Sequence, residues 1–133
     1  MSQTVTATTT PDLPRGQRLL VVEADAVQAT LLEIVLQERG YHCTLVERPE
    51  QALEMCQQQV YDLALIADSY LERARGLWLS DRLYRTYGLP SLLLTSDPAE
   101  VVQRSPYYSG RQEVLHKPYT MHQCLQRVQA VLP

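Results

Sequence analysis

The feature that most constrains the fold is a short apolar run ending on a carboxylate, Leu63-Ala64-Leu65-Ile66-Ala67-Asp68. Its apolar residues show no helical spacing, which predicts a strand buried on both faces, as in a parallel sheet. In open α/β sheets, functional groups collect at the carboxyl ends of the strands. We therefore expect Asp68 to lie at the functional edge of such a sheet.

The rest of the chain alternates further apolar strand-like segments with segments of helical periodicity. The other predicted strands are Leu19–Val22, Tyr41–Val46, Ser91–Thr95 and Glu113–His116. Five strands alternating with five helices predict a single α/β domain, with a parallel sheet and helices on both of its faces. Tyr41–Val46 is the least apolar of the five segments, which favours an edge position for it.

Helical spacing also predicts which side chains face the sheet. In the first helix, Val27, Leu31, Ile34 and Val35 recur at the spacing of one helical face. The third helix is predicted to carry Leu77, Leu83 and Tyr84 and to end at Gly88.

Composition narrows the function classes. The chain has 133 residues, 45% of them hydrophobic, and a formal net charge of −3, which argues against nucleic acid as the main partner. No apolar run has membrane-spanning length, and no secretory signal is evident. Its three cysteines lack zinc-ligand spacing, which favours reduced thiols and a cytoplasmic location.

The chain divides into two parts by composition. Residues 1–17 are rich in Thr and contain Pro11 and Pro14, which predicts a disordered tail or an interdomain linker. Residues 18–133 are predicted to form the folded domain. We expect this domain to be part of a larger multidomain protein.

The domain resembles the receiver domain of two-component response regulators. The resemblance rests on ordered landmarks: acids after the first strand, Asp68 after the third, Gly76 eight residues on, Thr95 after the fourth, and Lys117-Pro118 after the fifth. It implies a flavodoxin-like (CheY-like) five-stranded parallel sheet of order 2-1-3-4-5. That order places Tyr41–Val46 at an edge.

The resemblance also implies a chemistry. In active receivers, the aspartate after the third strand accepts a phosphoryl group from a histidine kinase, and an acidic pair helps it to hold magnesium. Carried over, Asp68 is the equivalent of the phosphoacceptor, Lys117 and Thr95 support it, and Glu23, Asp25 and Asp68 form the metal set. The usual spacing from Asp62, however, would put the acceptor at Ala67, so the alignment is ambiguous by one residue.

Several positions depart from the family pattern. Ala24 stands where the family has a direct metal ligand, Glu72 replaces a proline, and Val114 occupies the position of a switch aromatic. We therefore predict a degenerate receiver, or pseudo-receiver: a non-catalytic signalling module without a cofactor, in which Asp68 pairs with Lys117 and Asp25 caps the first helix. The alternative is a phosphorylatable receiver that uses magnesium and Asp68.

The second predicted strand offers an interaction surface. Its residues Tyr41, His42, Cys43, Thr44, Leu45 and Val46 include no proline or lysine that would block strand pairing. We predict that a protein partner binds at this edge; the alternative is that Glu47, Arg48 and the linker cover it.

Two further hypotheses concern ligands and partners. Among pseudo-receivers, the chain is similar to those of cyanobacterial circadian input kinases, which implies a clock protein as partner and a quinone as a ligand. A flavin-binding role is disfavoured because the turn at Glu23-Ala24-Asp25-Ala26 is acidic and has no glycine or hydroxyl run to hold a phosphate.

Overall fold

A computed structural model describes residues 16–68 and 75–132 of the chain. In chain order, the elements are β1 (Arg18–Val22), α1 (Ala26–Gln37), β2 (His42–Val46), α2 (Pro49–Gln58), β3 (Leu63–Ala67), α3 (Arg75–Tyr87), β4 (Ser91–Thr95), α4 (Ala99–Arg104), β5 (Glu113–His116) and α5 (Met121–Val131). Glu72 and most of the predicted tail lie outside the described residues.

The five strands form one parallel sheet in the order β2-β1-β3-β4-β5. This confirms the predicted fold class and strand order, with β2 at one edge and β5 at the other. The three central strands are buried along almost their whole length because helices cover both faces. Among the described residues, no helix is long and apolar enough to span a membrane.

Alternation along the strands divides the core into two layers. Residues such as Val21 and Leu65 face α1 and α5, whereas Val22 and Ile66 face α2, α3 and α4. Helix α3 approaches the sheet closely at Gly76, where an added Cβ would lie 2.9 Å from Leu93 Cδ1. The glycine after the Asp68 loop therefore sets how closely α3 packs on the sheet.

The predicted inner face of α1 is wrong for three of its four residues, and Val35 alone of the four packs against the core. The helix buries Ala29, Leu32 and Leu36, while Val27 is 68% exposed and Leu31 and Ile34 are also exposed. Apolar residues occur on almost every side of this helix, so two overlapping stripes fit the helical period. Packing against β1 and β2 selects the stripe that contains Leu32 and Leu36.

Of the three residues predicted for the third helix, Leu77 and Leu83 are buried, whereas Tyr84 is exposed. Its ring lies under the Arg111 guanidinium, whose central carbon is 4.1 Å from the ring centroid. Leu79 and Ser80 are buried one turn earlier in the same helix. This tyrosine therefore makes an arginine–aromatic contact at the surface and does not pack in the core.

Candidate functional site

Three polar side chains meet at the carboxyl ends of adjacent strands. Asp68 follows β3, Thr95 ends β4, and Lys117 follows β5. The Thr95 hydroxyl donates to Asp68 Oδ2 at 2.6 Å, and Lys117 Nζ donates to Oδ1 at 2.9 Å. The Ser96 backbone N–H donates to Oδ2 at 3.0 Å. Every one of these contacts is made to the same carboxylate.

The electrostatics of this pocket favour an ionised Asp68. Partial burial by itself would raise the pKa of Asp68, but the hydrogen bonds from Thr95, Lys117 and the Ser96 amide and the charge of Lys117 outweigh it. The net effect is a pKa below the ordinary value for aspartate. At neutral pH the site therefore holds a carboxylate paired with an ammonium group.

The position of Ala67 bears on the one-residue ambiguity. Ala67 is the last residue of β3, pairs with Leu94, and is buried in the core layer that faces α1 and α5. Asp68 is the residue whose side chain reaches Thr95 and Lys117. The structure thus places the carboxylate of Asp68, and not position 67, in the pocket.

The acidic side chains after β1 accept hydrogen bonds from nearby backbone N–H groups. Glu23 is only 2% exposed, and its Oε2 accepts the Asp25 backbone N–H at 3.0 Å. Asp25 Oδ1 accepts the N–H groups of Val27 at 2.9 Å and Gln28 at 3.2 Å. Asp25 is therefore the N-cap of α1, and Glu23 braces the turn that leads into it.

These residues do not form the metal set that the family resemblance implies. Magnesium requires several oxygen ligands in near-octahedral geometry. Within residues 16–68 and 75–132, no group of three His, Cys, Asp or Glu side chains is placed to hold a metal ion. Glu23, Asp25 and Asp68 are thus not brought together as a cluster, and the position between the two acids carries the methyl group of Ala24.

A cavity of about 290 Å³ lies beside the pocket. It is lined by Glu23, Gln28, Lys117, Pro118 and Tyr119, and the Lys117-Pro118 peptide bond is cis. Burial, together with the charges of Cys124, Glu23 and Asp68, raises the pKa of Tyr119, so its phenol stays protonated.

At the position of the family's switch aromatic, the structure has an aliphatic side chain that packs against the core. Val114 packs against the core layer formed by α2, α3 and α4. The Thr95 hydroxyl also accepts the Asp97 N–H at 3.0 Å, and the Asp97 carbonyl contacts His116 Nδ1 at 3.0 Å. Thr95 is thereby tied to the Asp97 loop. Sequence patterns missed the Ser96 and Asp97 contacts because they use backbone atoms.

The β2 edge exposes backbone groups at alternate residues. The His42 N–H donates to the Gln17 carbonyl, and the Val46 carbonyl accepts the Glu23 N–H, so these residues bond toward β1. In a parallel ladder the intervening residues face the other way. The N–H and C=O groups of Cys43 and Leu45 therefore point away from the sheet.

The opposite edge of the sheet, formed by β5, is partly covered by a side chain from α5. Arg127 Nη2, on α5, donates to the Val114 carbonyl at 2.9 Å and to Glu113 Oε1 at 3.0 Å. The Lys117 N–H bonds to the Thr95 carbonyl, so Val114 is one of the β5 residues whose backbone faces outward. A side chain thus occupies part of the β5 edge.

Comparisons with known proteins agree with this architecture. The family model described as the response regulator receiver domain matches residues 19–129. The chain is 28% identical over 120 residues to the phosphate regulon transcriptional regulatory protein PhoB of Pseudomonas aeruginosa, covering 88% of this chain and 52% of PhoB. It is 31% identical over 116 residues to the DNA-binding response regulator MtrA of Mycobacterium tuberculosis, covering 87% of this chain and 50% of MtrA.

Solved structures show the same fold. The chemotaxis protein CheY4 of Vibrio cholerae superposes with a TM-score of 0.77 at 20% identity, covering 88% of this chain and 99% of CheY4. The orphan response regulator HP1043 of H. pylori gives 0.78 at 22% identity, covering 90% of this chain and all of that one. The chain spans about half the length of the curated relatives that it matches.

Proposed function

We propose that this chain, which belongs to the response regulator receiver domain family, is a pseudo-receiver. Such a domain signals through protein contacts without magnesium-dependent phosphoryl transfer. In this proposal the domain is not itself an enzyme. The Asp68 pocket fixes the loops at the carboxyl ends of the strands. The partner binds elsewhere on the surface, with the β2 edge as the favoured site.

The observation that carries this proposal is the arrangement around Ala24. A phosphoryl group on Asp68 would bring several anionic oxygens into a pocket where, among residues 16–68 and 75–132, the ammonium group of Lys117 is the cation paired with the carboxylate. A divalent cation stabilises such charge, and carboxylate ligands hold the cation. Here position 24 supplies no oxygen from its side chain, and the carboxylate of Asp25 accepts the first N–H groups of α1.

The Asp68–Lys117 pair has a structural role in this proposal. Both side chains are about three-quarters buried, with 21% and 27% of their surfaces exposed. Removal of one partner from such a pair leaves the other charge poorly solvated. The pair joins the ends of β3 and β5, and Thr95 adds the end of β4.

One observation favours the alternative, a phosphorylatable receiver. Asp68, Thr95 and Lys117 are the residues that the family resemblance assigns to phosphoacceptance, and the structure brings them into contact. The relatives PhoB and MtrA are named as regulators. The two functions differ in whether Asp68, Thr95 and Lys117 can support phosphoryl transfer without a carboxylate at position 24.

A phosphorylation assay with a variant that has a carboxylate at position 24 tests the proposal. The chain, Ala24→Asp and the double variant Ala24→Asp/Asp68→Asn are incubated with acetyl phosphate and about 10 mM magnesium, and intact masses are measured. We expect no phosphorylated species from the unaltered chain, labelling of Ala24→Asp, and none from the double variant. Labelling of the unaltered chain that Asp68→Asn abolishes would refute the proposal.

The partner is the less defined part of the proposal. The outward backbone groups of Cys43 and Leu45 and the absence of proline and lysine in β2 support docking at this edge. A clock protein as partner, a quinone as ligand and a cytoplasmic location remain hypotheses that rest on the sequence. Nucleic acid is not proposed as a partner because the net charge is −3. MtrA is named as DNA-binding, but this chain matches only half of its length.

A further inference from the structure

Two residues of the β2 edge, Cys43 and Leu45, offer both an outward N–H and an outward C=O group. Before the strand, the Tyr41 N–H is already bonded to the Leu36 carbonyl at 3.2 Å. After it, the Glu47 N–H is bonded to Gln51 Oε1 at 2.8 Å. Between these positions, Cys43 and Leu45 present outward N–H and C=O groups. An incoming strand therefore finds two complete backbone pairs, one residue apart.

We propose that this edge pairs antiparallel with β2 of a second copy of the chain, with Cys43 opposite Leu45 of that copy. The inference rests on the interaction role proposed above for the same edge, and it names the partner. A two-fold axis at Thr44 places Cys43 and Leu45 of each copy in hydrogen-bonded pairs, and each pair exchanges two hydrogen bonds. All the outward groups of both residues are then used.

Other symmetric registers use fewer of these groups. Pairing Cys43 with itself places Leu45 opposite Tyr41, whose N–H already has a partner. Pairing Leu45 with itself places Cys43 opposite Glu47, whose N–H is also engaged. The register centred on Thr44 is therefore the symmetric arrangement in which the outward C=O groups of Cys43 and Leu45 both face an N–H that has no other partner among the residues that the structure describes.

The side chains of the strand suit this register. Cys43 and Leu45 both face the layer of α1 and α5, so the Cys43 side chain of one copy lies opposite the Leu45 side chain of the other. Thr44 lies opposite Thr44 of the second copy, a favourable cross-strand pair. Arg39 precedes the strand and Glu47 follows it, and both are exposed. Antiparallel pairing brings Glu47 and Arg48 of one copy to the same end as Glu38 and Arg39 of the other, so each end of the pair carries both signs of charge.

The two edges of the sheet also favour a closed pair. Arg127 occupies the outward Val114 carbonyl of β5, so the opposite edge is partly covered by its own helix. Pairing of β2 with β2 through a two-fold axis uses the same surface on both copies and leaves no second β2 edge for further addition. The expected product is a dimer with a continuous sheet, not a filament.

Sedimentation equilibrium of the full chain tests this inference. Across about 5–500 µM, a range suited to a small interface, we expect a reversible monomer–dimer equilibrium. Cys43→Pro removes one outward N–H and no bond to β1, so we expect it to weaken dimerisation at least about tenfold. The matched control Cys43→Ala retains the N–H and should dimerise like the unaltered chain. Melting temperatures establish that each variant is folded.

A cross-linking experiment fixes the register independently. Thr44 of each copy would form a non-hydrogen-bonded pair with Cα atoms about 4.5 Å apart, which is within disulfide range. Thr44→Cys in a Cys43→Ala/Cys56→Ala background should form a disulfide-linked dimer under mild oxidation. Gln126→Cys, on the exposed side of α5, should not.

The outcomes separate this inference from the proposed function. A chain that stays monomeric throughout the range, or a dimer equally stable in Cys43→Pro and not linked through position 44, would overturn the self-pairing. Neither result affects the phosphorylation assay. Conversely, a β2-paired dimer that becomes phosphorylated on Asp68 would refute the proposed function and leave the self-pairing intact.

Discussion

The two halves of the Asp68 pocket differ in what they keep of the receiver pattern. The half built by β3, β4 and β5 brings Asp68, Thr95 and Lys117 into direct contact. The half built by the β1–α1 turn has Ala24 between two acids that both serve local backbone contacts. A strand-end ion pair stabilises the fold whether or not chemistry occurs, whereas a metal ligand at position 24 contributes only when a metal binds. If the domain is a pseudo-receiver as proposed, the contacts retained are those with a structural role.

The largest expected effect comes from breaking the β3–β5 half. Lys117→Met leaves the Asp68 carboxylate partly buried without its ammonium partner, so the free energy of unfolding should fall by about 2 kcal/mol. Urea denaturation at pH 7 measures the change. The double variant Lys117→Met/Asp68→Asn should recover most of this loss, because no unpaired charge remains. Equal stability of Lys117→Met and the unaltered chain would show that the pair has no structural role.

A smaller effect is expected in the β1 half. Asp25→Ala removes the cap of α1 and should lower the free energy of unfolding by about 1 kcal/mol, whereas Asp25→Asn, which retains a capping oxygen, should cost much less. Thermal or urea denaturation compares the two variants. If Asp25 acts instead as a metal ligand, both substitutions should abolish a magnesium-induced rise in melting temperature, and such a rise in the unaltered chain would contradict the capping interpretation.

The smallest expected effect is the pH dependence of the Asp68 contribution. Because the folded-state pKa of Asp68 is lowered, its stabilising contribution is complete above the ordinary aspartate pKa of about 3.9 and is lost as the pH falls through the folded-state value. The difference in unfolding free energy between the unaltered chain and Asp68→Asn should therefore stay constant from pH 7 to about pH 5 and shrink below pH 4. Urea denaturation at several pH values measures it. A difference that grows on acidification would show that the pKa is raised.

Much of the fold followed from sequence patterns because each strand carries its own signal. Runs such as Leu63–Ala67 are apolar throughout, and the bounds predicted for Glu113–His116 agree with the structure. The order of the sheet came from the family resemblance together with the weak apolarity of β2. The inner face of α1 could not be predicted, because a helix with apolar residues on most sides offers several faces and only the sheet selects one.

The candidate site was predictable to a similar degree. Asp68 could be named because it follows a strand, and the family resemblance assigned Thr95 and Lys117 to the same site; the structure brings the three together. Spacing could not decide between Asp68 and Ala67 as the acceptor, since counting from Asp62 and counting from Gly76 give positions that differ by one residue. The contacts of Ser96 and Asp97 had no sequence signal, because backbone N–H groups are present at every non-proline residue.

The sequence by itself determined the alternation of strands and helices, and it placed an alanine between the acids after β1. Both are local properties, since hydrophobic periodicity and the absence of a carboxylate can be recognised one segment at a time. The tertiary structure alone decided that Glu23 is buried, that Asp25 caps α1, and that the backbone groups of Cys43 and Leu45 point outward while Arg127 covers part of the β5 edge. Those properties depend on which strands are neighbours and which way each backbone faces, and segments far apart in the chain establish them only when they pack together.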